Sequence, residues 1–279
     1  MITLTGIVTS CHKIEVGGCI RPEKTLIKGG SPNSLYFPAS SYLIEHTEMG
    51  SLLVDTGYGE AAYQVMRQRQ AGRLPMSQFL LNIYDRLLPI QPYEEDLATS
   101  LVKRGYRAEQ VNHLLITHAH LDHIGCLVNF PQARLWMSRS TYRHLWSFRK
   151  YLPQYGRAFL GDLEQDIHLI DFNERLWIDG VDTGIDAYRL ADDLIALDLS
   201  GHAEEMTGLY LPSLRLCLAI DAGWRKAYLS PEMLDRFTWI ARRVQWSWPH
   251  YRATCEKLSG LMQLGITVDI CHEQGGGDQ

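Results

Sequence analysis

The sequence predicts an α/β domain in which helices cover sheets, and three observations carry that prediction. Short apolar runs with strand character crowd both ends of the 279-residue chain, and helical patterns lie between them. Hydrophobic residues make up 46% of the chain, enough to bury a large core. Length alone allows one large domain or two small ones, but no stretch is long and polar enough to act as a linker. The expectation is one domain over residues 1–274, with GGGDQ (275–279) as a flexible tail.

The elements follow in order. SYLIEH (41–46) and SLLVDTG (51–57) flank a turn at residues 47–50 and read as a hairpin. A helical stretch follows Gly59. PMSQFLLNIYDRLLP (75–89) and PYEEDLATSLVKRGY (92–106) each open on proline, which suits a first helical turn, and repeat apolar residues at helical spacing. In the second, early acidic residues and late Lys103 and Arg104 complement the helix dipole. HLLIT (113–117) and RLWMS (134–138) are short buried strands, the latter followed by helical STYRHLWSFRKYL. From Pro153 to about Asp182 the chain is irregular and reads as loop. Strands resume with AYRL (187–190), LIALDL (194–199), GLYL (208–211) and RLCLAID (215–221). Helical stretches at 231–243 and 249–264 lead into a last strand, ITVDICH (266–272).

Charge and cysteine usage narrow the function. A net charge of −5 with 21% charged residues argues against a polyanion-binding protein. The most basic stretch, WIARRVQWSWPHYR (239–252), is expected to be an amphipathic helix that buries its aromatics and keeps its arginines in water. Six cysteines lie far apart without a CxxC pair, mostly inside apolar runs, as buried thiols do. The N-terminus lacks signal-peptide features, and no run of 18 apolar residues could span a bilayer. These readings predict a reduced, cytoplasmic protein acting on a small molecule, with no nucleic acid or membrane partner and a homodimer as a candidate assembly.

LLITHAHLDHIG (114–125) places three histidines and an aspartate within six positions, directly after an apolar run. On an extended backbone residues two apart point the same way, so His118 and His120 can share one ion. Asp122 and His123 are adjacent and should diverge, which suits a second. Imidazole and carboxylate are ligands that zinc, iron and manganese accept. Further candidates follow other apolar runs: His202 after LDLSG, Asp221 in CLAIDAG and His272 after VDIC. Each would emerge at a sheet edge, where an aspartate can bridge two cations with its two oxygens.

As a set, VDTG (54–57), THAHLDH (117–123), SGH (200–202), AIDAG (219–223) and CHE (271–273) resemble the five ordered motifs of the metallo-β-lactamase-fold hydrolases. The resemblance runs over most of the chain and implies an αββα sandwich with the metals at one edge of the two central sheets. It assigns His118, His120 and His202 to a first divalent metal, Asp122, His123 and His272 to a second, and Asp221 to both. Asp55 would orient the histidine loop from behind. Zinc is the expected metal, with iron or manganese as alternatives. One departure stands out: Ala203, Glu204 and Glu205 replace the GHTxG pattern common after the third histidine.

Two such cations, about 3.5–4 Å apart, hold a water and lower its pKa toward about 7, so a bridging hydroxide is the expected nucleophile. Asp122 could relay the proton besides serving as a ligand, and Asp122 and Asp221 are the predicted catalytic carboxylates. Within the superfamily, GGCIRPEKTL (17–26) and IDAGW (220–224) resemble the lactonases of the acyl-homoserine-lactone and pyridoxolactone type. Those usually carry a tyrosine where Trp224 stands. A lactone or carboxylic ester is the expected substrate. The alternatives are a thioester, as in glyoxalase II, a phosphodiester, or a metal-binding descendant without activity. Trp224, Phe79, Tyr84 and Phe159 are the candidate substrate contacts. Arg225 and Lys226 are the cations beside a motif that could favour a phosphodiester.

Overall fold

Apolar residues on both faces of the central strands determine how the layers stack. The structure, a computed structural model, describes residues 6–59, 90–91, 96–146 and 166–273. Among them, seven strands form one sheet in the order β4-β1-β2-β3-β5-β6-β7. These are β1 (Val8–Pro22), β2 (Ser34–His46), β3 (Gly50–Val54), β4 (Ile90–Gln91), β5 (His113–Leu115), β6 (Arg134–Ser138) and β7 (Ile167–Ile170). A second sheet has the order β13-β12-β11-β10-β9-β8. It contains β8 (Glu174–Ile178), β9 (Val181–Ala191), β10 (Leu194–Asp198), β11 (Thr207–Leu211), β12 (Leu216–Ile220) and β13 (Thr267–Ile270). β3, β5, β6 and β7 run parallel, as do β12 and β13, so their C-terminal ends gather along common edges.

Successive strand residues point to opposite faces, so one strand feeds two cores. Leu52 and Val54 of β3 and Leu115 of β5 pack with Leu194, Ala196, Leu209, Leu218 and Ile220 in the core between the sheets. Their neighbours Leu53 and Leu114 join a second cluster with Leu97 and Leu101 of α1 (Leu97–Lys103). On the other side Leu197, Cys217 and Ala219 meet Leu234 of α4 (Pro231–Asp235), Ala241 of α5 (Trp239–Arg243) and Leu258 of α6 (Trp248–Gln263). The layers are helix, sheet, sheet, helix, as expected. Two more helices, α2 (Leu121–Ile124) and α3 (Arg139–Trp146), follow the ends of β5 and β6.

The predicted hairpin is present, in a register running from Tyr42↔Val54 to His46↔Gly50. Several expectations need correction. The stretch read as loop after Pro153 carries β7 and β8, whose partly exposed residues hide a strand pattern. β1 had no assignment. Its pairing with β2 shifts register between Glu15 and Gly18, and that irregularity interrupts the alternation. The helix expected to open at Pro92 begins, among the described residues, at Leu97, where the Asp96 carboxylate accepts from Thr99 N at 2.7 Å. The stretch 231–243 breaks in two because Thr238 caps α5 and donates to Thr25 O. Trp239 then points outward at 75% exposure, an exception to the expectation that residues 239–252 bury their aromatics. Trp248 and Tyr251 of the same stretch do pack inward, against Phe237 and each other. All six cysteines are free. The helix at 75–89, the one after Gly59 and the tail lie outside the described residues.

Candidate metal centre

Each strand-end motif delivers its polar residue to one place because the strands that carry them end on the same edge. The VDTG turn needs unusual backbone. Asp55 sits at φ 59° and Gly57 at φ 64°, where an added Cβ at Gly57 would also collide with the Val16 side chain. That turn buries the Asp55 carboxylate completely. Its Oδ1 accepts from Thr117 N at 2.9 Å, and its Oδ2 accepts from Thr117 Oγ1 and His123 Nδ1, each at 2.7 Å. Asp55 thus grips both ends of the THAHLDH loop.

The ring nitrogens are sorted by their outer partners. His123 Nδ1 donates to Asp55, His272 Nδ1 donates to Pro38 O at 2.8 Å, and His202 Nδ1 donates to Gln245 Oε1 at 2.9 Å. Gln245 Nε2 in turn donates to Ala241 O at 3.0 Å, which sets the amide's orientation. Each of these bonds commits Nδ1 to an outer partner and aims Nε2 inward, the arrangement that metal-binding histidines use. His120 Nδ1 lies 2.9 Å from both His118 Nε2 and His202 Nε2. The Asp221 Oδ2 atom lies between 3.2 and 3.8 Å from Nε2 of His118, His123, His202 and His272.

Donor atoms of His118, His120, His202 and Asp221 all lie within 4.8 Å of one another. The same holds for Asp122, Asp221 and His272, and for His123, Asp221 and Cys271. All seven residues singled out in the sequence therefore converge, with Asp221 common to every group. Two details differ from expectation. Asp122 and His123 do not diverge, because both sit on the single turn of α2 and their tips are 3.6 Å apart. Asp221 also turns only one oxygen toward the histidines.

Electrostatics fit the group that such a cluster would hold. Burial and neighbouring imidazoles drive the His118 pKa well below its ordinary value, and burial and His202 bring His120 down to about 3. Burial opposes charge on His123 too, yet the carboxylates of Asp122, Asp221 and Asp55 outweigh it and raise its pKa. Burial pushes Asp122 up, but His123 overrides it and holds the carboxyl at about 2. His123 Nε2 is wholly buried with no hydrogen-bond partner among the described residues. An orphaned inward nitrogen costs free energy unless something binds it. Nitrogen and carboxylate donors without a committed thiolate suit divalent zinc, iron or manganese, so the residues fit a metal pair.

Other predicted residues fall elsewhere. Trp224 is 8% exposed and stacks on Phe237 at 5.5 Å, inside the outer core of the second sheet. Phe79, Tyr84 and Phe159 lie outside the described residues. Lys226 lies 3.8 Å from the Glu273 carboxylate, and the Arg225 guanidinium sits 5.3 Å over the Phe37 ring. Glu205, at φ 49°, accepts from Ser140 N at the start of α3, so the departure from GHTxG ties the loop to that helix. Lys13, Ser40, Gln245 and Cys271 escaped the sequence reading. Each acts through a contact from a distant part of the chain, and only the cysteine stands beside a motif histidine.

A two-sheet sandwich with a His/Asp cluster at its strand ends defines a class, the metal-binding αββα proteins. Residues 36–214 match the metallo-beta-lactamase superfamily, and the chain belongs to it. Its relatives include a probable metallo-hydrolase of Mycobacterium bovis, 31% identical over 36% of this chain and 29% of the relative. An N-acyl homoserine lactonase of Bacillus cereus is 27% identical over 53% of this chain and 55% of the relative. The chain thus spans about half or less of the length of these curated relatives. Among solved structures, an N-acyl homoserine lactone hydrolase with product N-hexanoyl-L-homoserine at its metal centre superposes with TM-score 0.66 and 18% identity. That match covers 95% of this chain and 93% of the other. A dizinc quorum-quenching lactonase gives TM-score 0.63 at 14% identity, over 99% and 93%.

Proposed function

We propose that this chain is a dinuclear metal-dependent hydrolase of lactones or carboxylic esters. The observation that carries the reading is the convergence of seven N/O donor residues, three of which (His123, His272 and His202) have their outer nitrogens committed to Asp55, Pro38 and Gln245. His118, His120 and His202 would hold one divalent cation, and Asp122, His123 and His272 the other, with Asp221 shared. Zinc is the proposed metal. When bound, the pair would supply Lewis acidity and an acidified water at neutral pH.

The chain's own residues do the rest. The Asp122 side chain is 16% exposed against 2% for Asp221, so it is the carboxylate that can reach a substrate. Held ionised at low pH by His123, it can accept a proton during attack and return it to the leaving oxygen. Asp221 is enclosed and serves geometry. Asp55 keeps His123 and the loop behind it from shifting.

Support for a carbonyl substrate over a phosphodiester comes from the cations. Lys226 is matched to Glu273, and Arg225 lies against Phe37. The lactonase relatives point the same way. A small neutral substrate, a cytoplasmic site of action and a homodimer complete the proposal, and no helix among the described residues is long and apolar enough to cross a membrane. Trp224, stacked on Phe237, is proposed as a substrate contact together with Phe79, Tyr84 and Phe159.

Metal-replete protein should be assayed against a lactone, an aryl ester, a thioester and an aryl phosphodiester. The lactone or ester should give the highest kcat/KM. A phosphodiester ahead by more than tenfold, with that lead lost in Arg225→Ala, would replace the reading.

A further inference from the structure

We propose that Cys271 is a positioning residue for the shared carboxylate, its thiol donating to Asp221 Oδ1 across 2.6 Å so that Oδ2 is the atom offered to the cations. The two oxygens of Asp221 keep different company. Oδ2 lies 3.2 Å from His272 Nε2 and 3.4 Å from Nε2 of both His123 and His202. Oδ1 is turned to the sulfur. An aspartate free to rotate about its last torsion would present either oxygen, or one to each cation, and the spacing of the pair would then be undefined.

The donor is itself held. Asp221 follows β12 and Cys271 follows β13, which are parallel neighbours. Cys271 N donates to Ile220 O at 3.2 Å, one residue before the aspartate, and Cys271 O accepts from Ser40 Oγ at 2.8 Å. The thiol is completely buried, so solvent does not compete for it. Cys271 also lies with His123 and Asp221 within 4.8 Å, which raises direct ligation as the rival role. The hydrogen bond to Oδ1 favours the positioning role, and the spectrum of the cobalt-loaded protein separates it from ligation.

The inference rests on the dinuclear reading, and the test separates the two. Wild type, Cys271→Ala and Cys271→Ser would be loaded with zinc, and their metal content and affinity measured by chelator competition. Thermal unfolding of each metal-free protein serves as the control. Wild type should hold two ions. Cys271→Ala should lose about 10- to 100-fold in affinity for at least one of them, with an unchanged metal-free midpoint. Cys271→Ser keeps a donor and should recover most of the loss. Wild-type affinity in Cys271→Ala, or an equal loss in Cys271→Ser, overturns the role of the thiol while leaving the metal pair intact. Fewer than one ion in wild type overturns both readings. If Cys271→Ala does not fold, the cobalt-loaded wild type decides. A sulfur-to-cobalt charge-transfer band that vanishes in Cys271→Ser makes Cys271 a ligand and ends the proposal, and its absence together with full affinity in Cys271→Ser supports it.

Discussion

Asp55 accepts three hydrogen bonds from two residues while wholly buried. Asp55→Ala would strand Thr117 N and His123 Nδ1 together. Removing one partner of a buried ionic pair costs about 3–5 kcal/mol. Urea unfolding of the metal-free variant should show a loss of that size, and a loss under about 1 kcal/mol would remove Asp55 from its bracing role. His123 makes a second prediction at this scale. Its pKa lies well above the ordinary value in the metal-free fold, so it carries a proton near neutrality. A cation must displace that proton, so binding releases protons and affinity climbs as pH rises through the raised value. Calorimetric titrations in two buffers of different ionisation enthalpy should report proton release, and buffer-independent heats would contradict it.

Between elements, the loop after β13 is pinned from the opposite sheet. The Lys13 ammonium of β1 reaches Asp269 Oδ1 at 3.0 Å, Ile270 O at 2.7 Å and Glu273 O at 2.8 Å. Those acceptors bracket Cys271 and His272, and Ser40 Oγ and Pro38 O of β2 hold the same two residues from the other side. Lys13→Met keeps the apolar stem and deletes the donors. A hydrogen bond to a charged group is worth about 1.5–3 kcal/mol, so the variant should unfold earlier by roughly that amount. It should also bind its weaker metal ion less tightly. Unchanged stability and metal content together would show that the loop holds its shape without β1.

Over the whole molecule, the candidate centre exists only when both sheets are stacked. His118, His120, Asp122 and His123 come from the first sheet's edge, and His202, Asp221 and His272 from the second's. The unfolded chain offers no such set, so metal binding should add directly to stability. At a free concentration about 1,000 times Kd, one site contributes about 4 kcal/mol. Chelation should therefore lower the thermal midpoint by on the order of 10 °C for a chain of this size. Identical midpoints with and without chelator would mean that the cluster binds no ion of consequence.

By itself the sequence determined the strand ends and their cargo. Apolar runs such as HLLIT and LCLAI are continuous because both strand faces are covered, and a polar residue just past such a run is a signal that needs no partner to be read. His118, Asp221 and His272 were legible for that reason, and so was the layer order once the motifs were taken together. The tertiary structure alone decided which oxygen of Asp221 faces the histidines, and that Asp122 and His123 share a helical turn. It also decided that Trp224 stacks on Phe237 and that Lys13, Ser40, Gln245 and Cys271 serve the centre. Those four act across gaps of 43 to 260 residues in the chain. Hydrogen bonds of that kind have no periodicity and no local spacing. They come into being only when two sheets, each stabilised by its own apolar faces, close on a common edge.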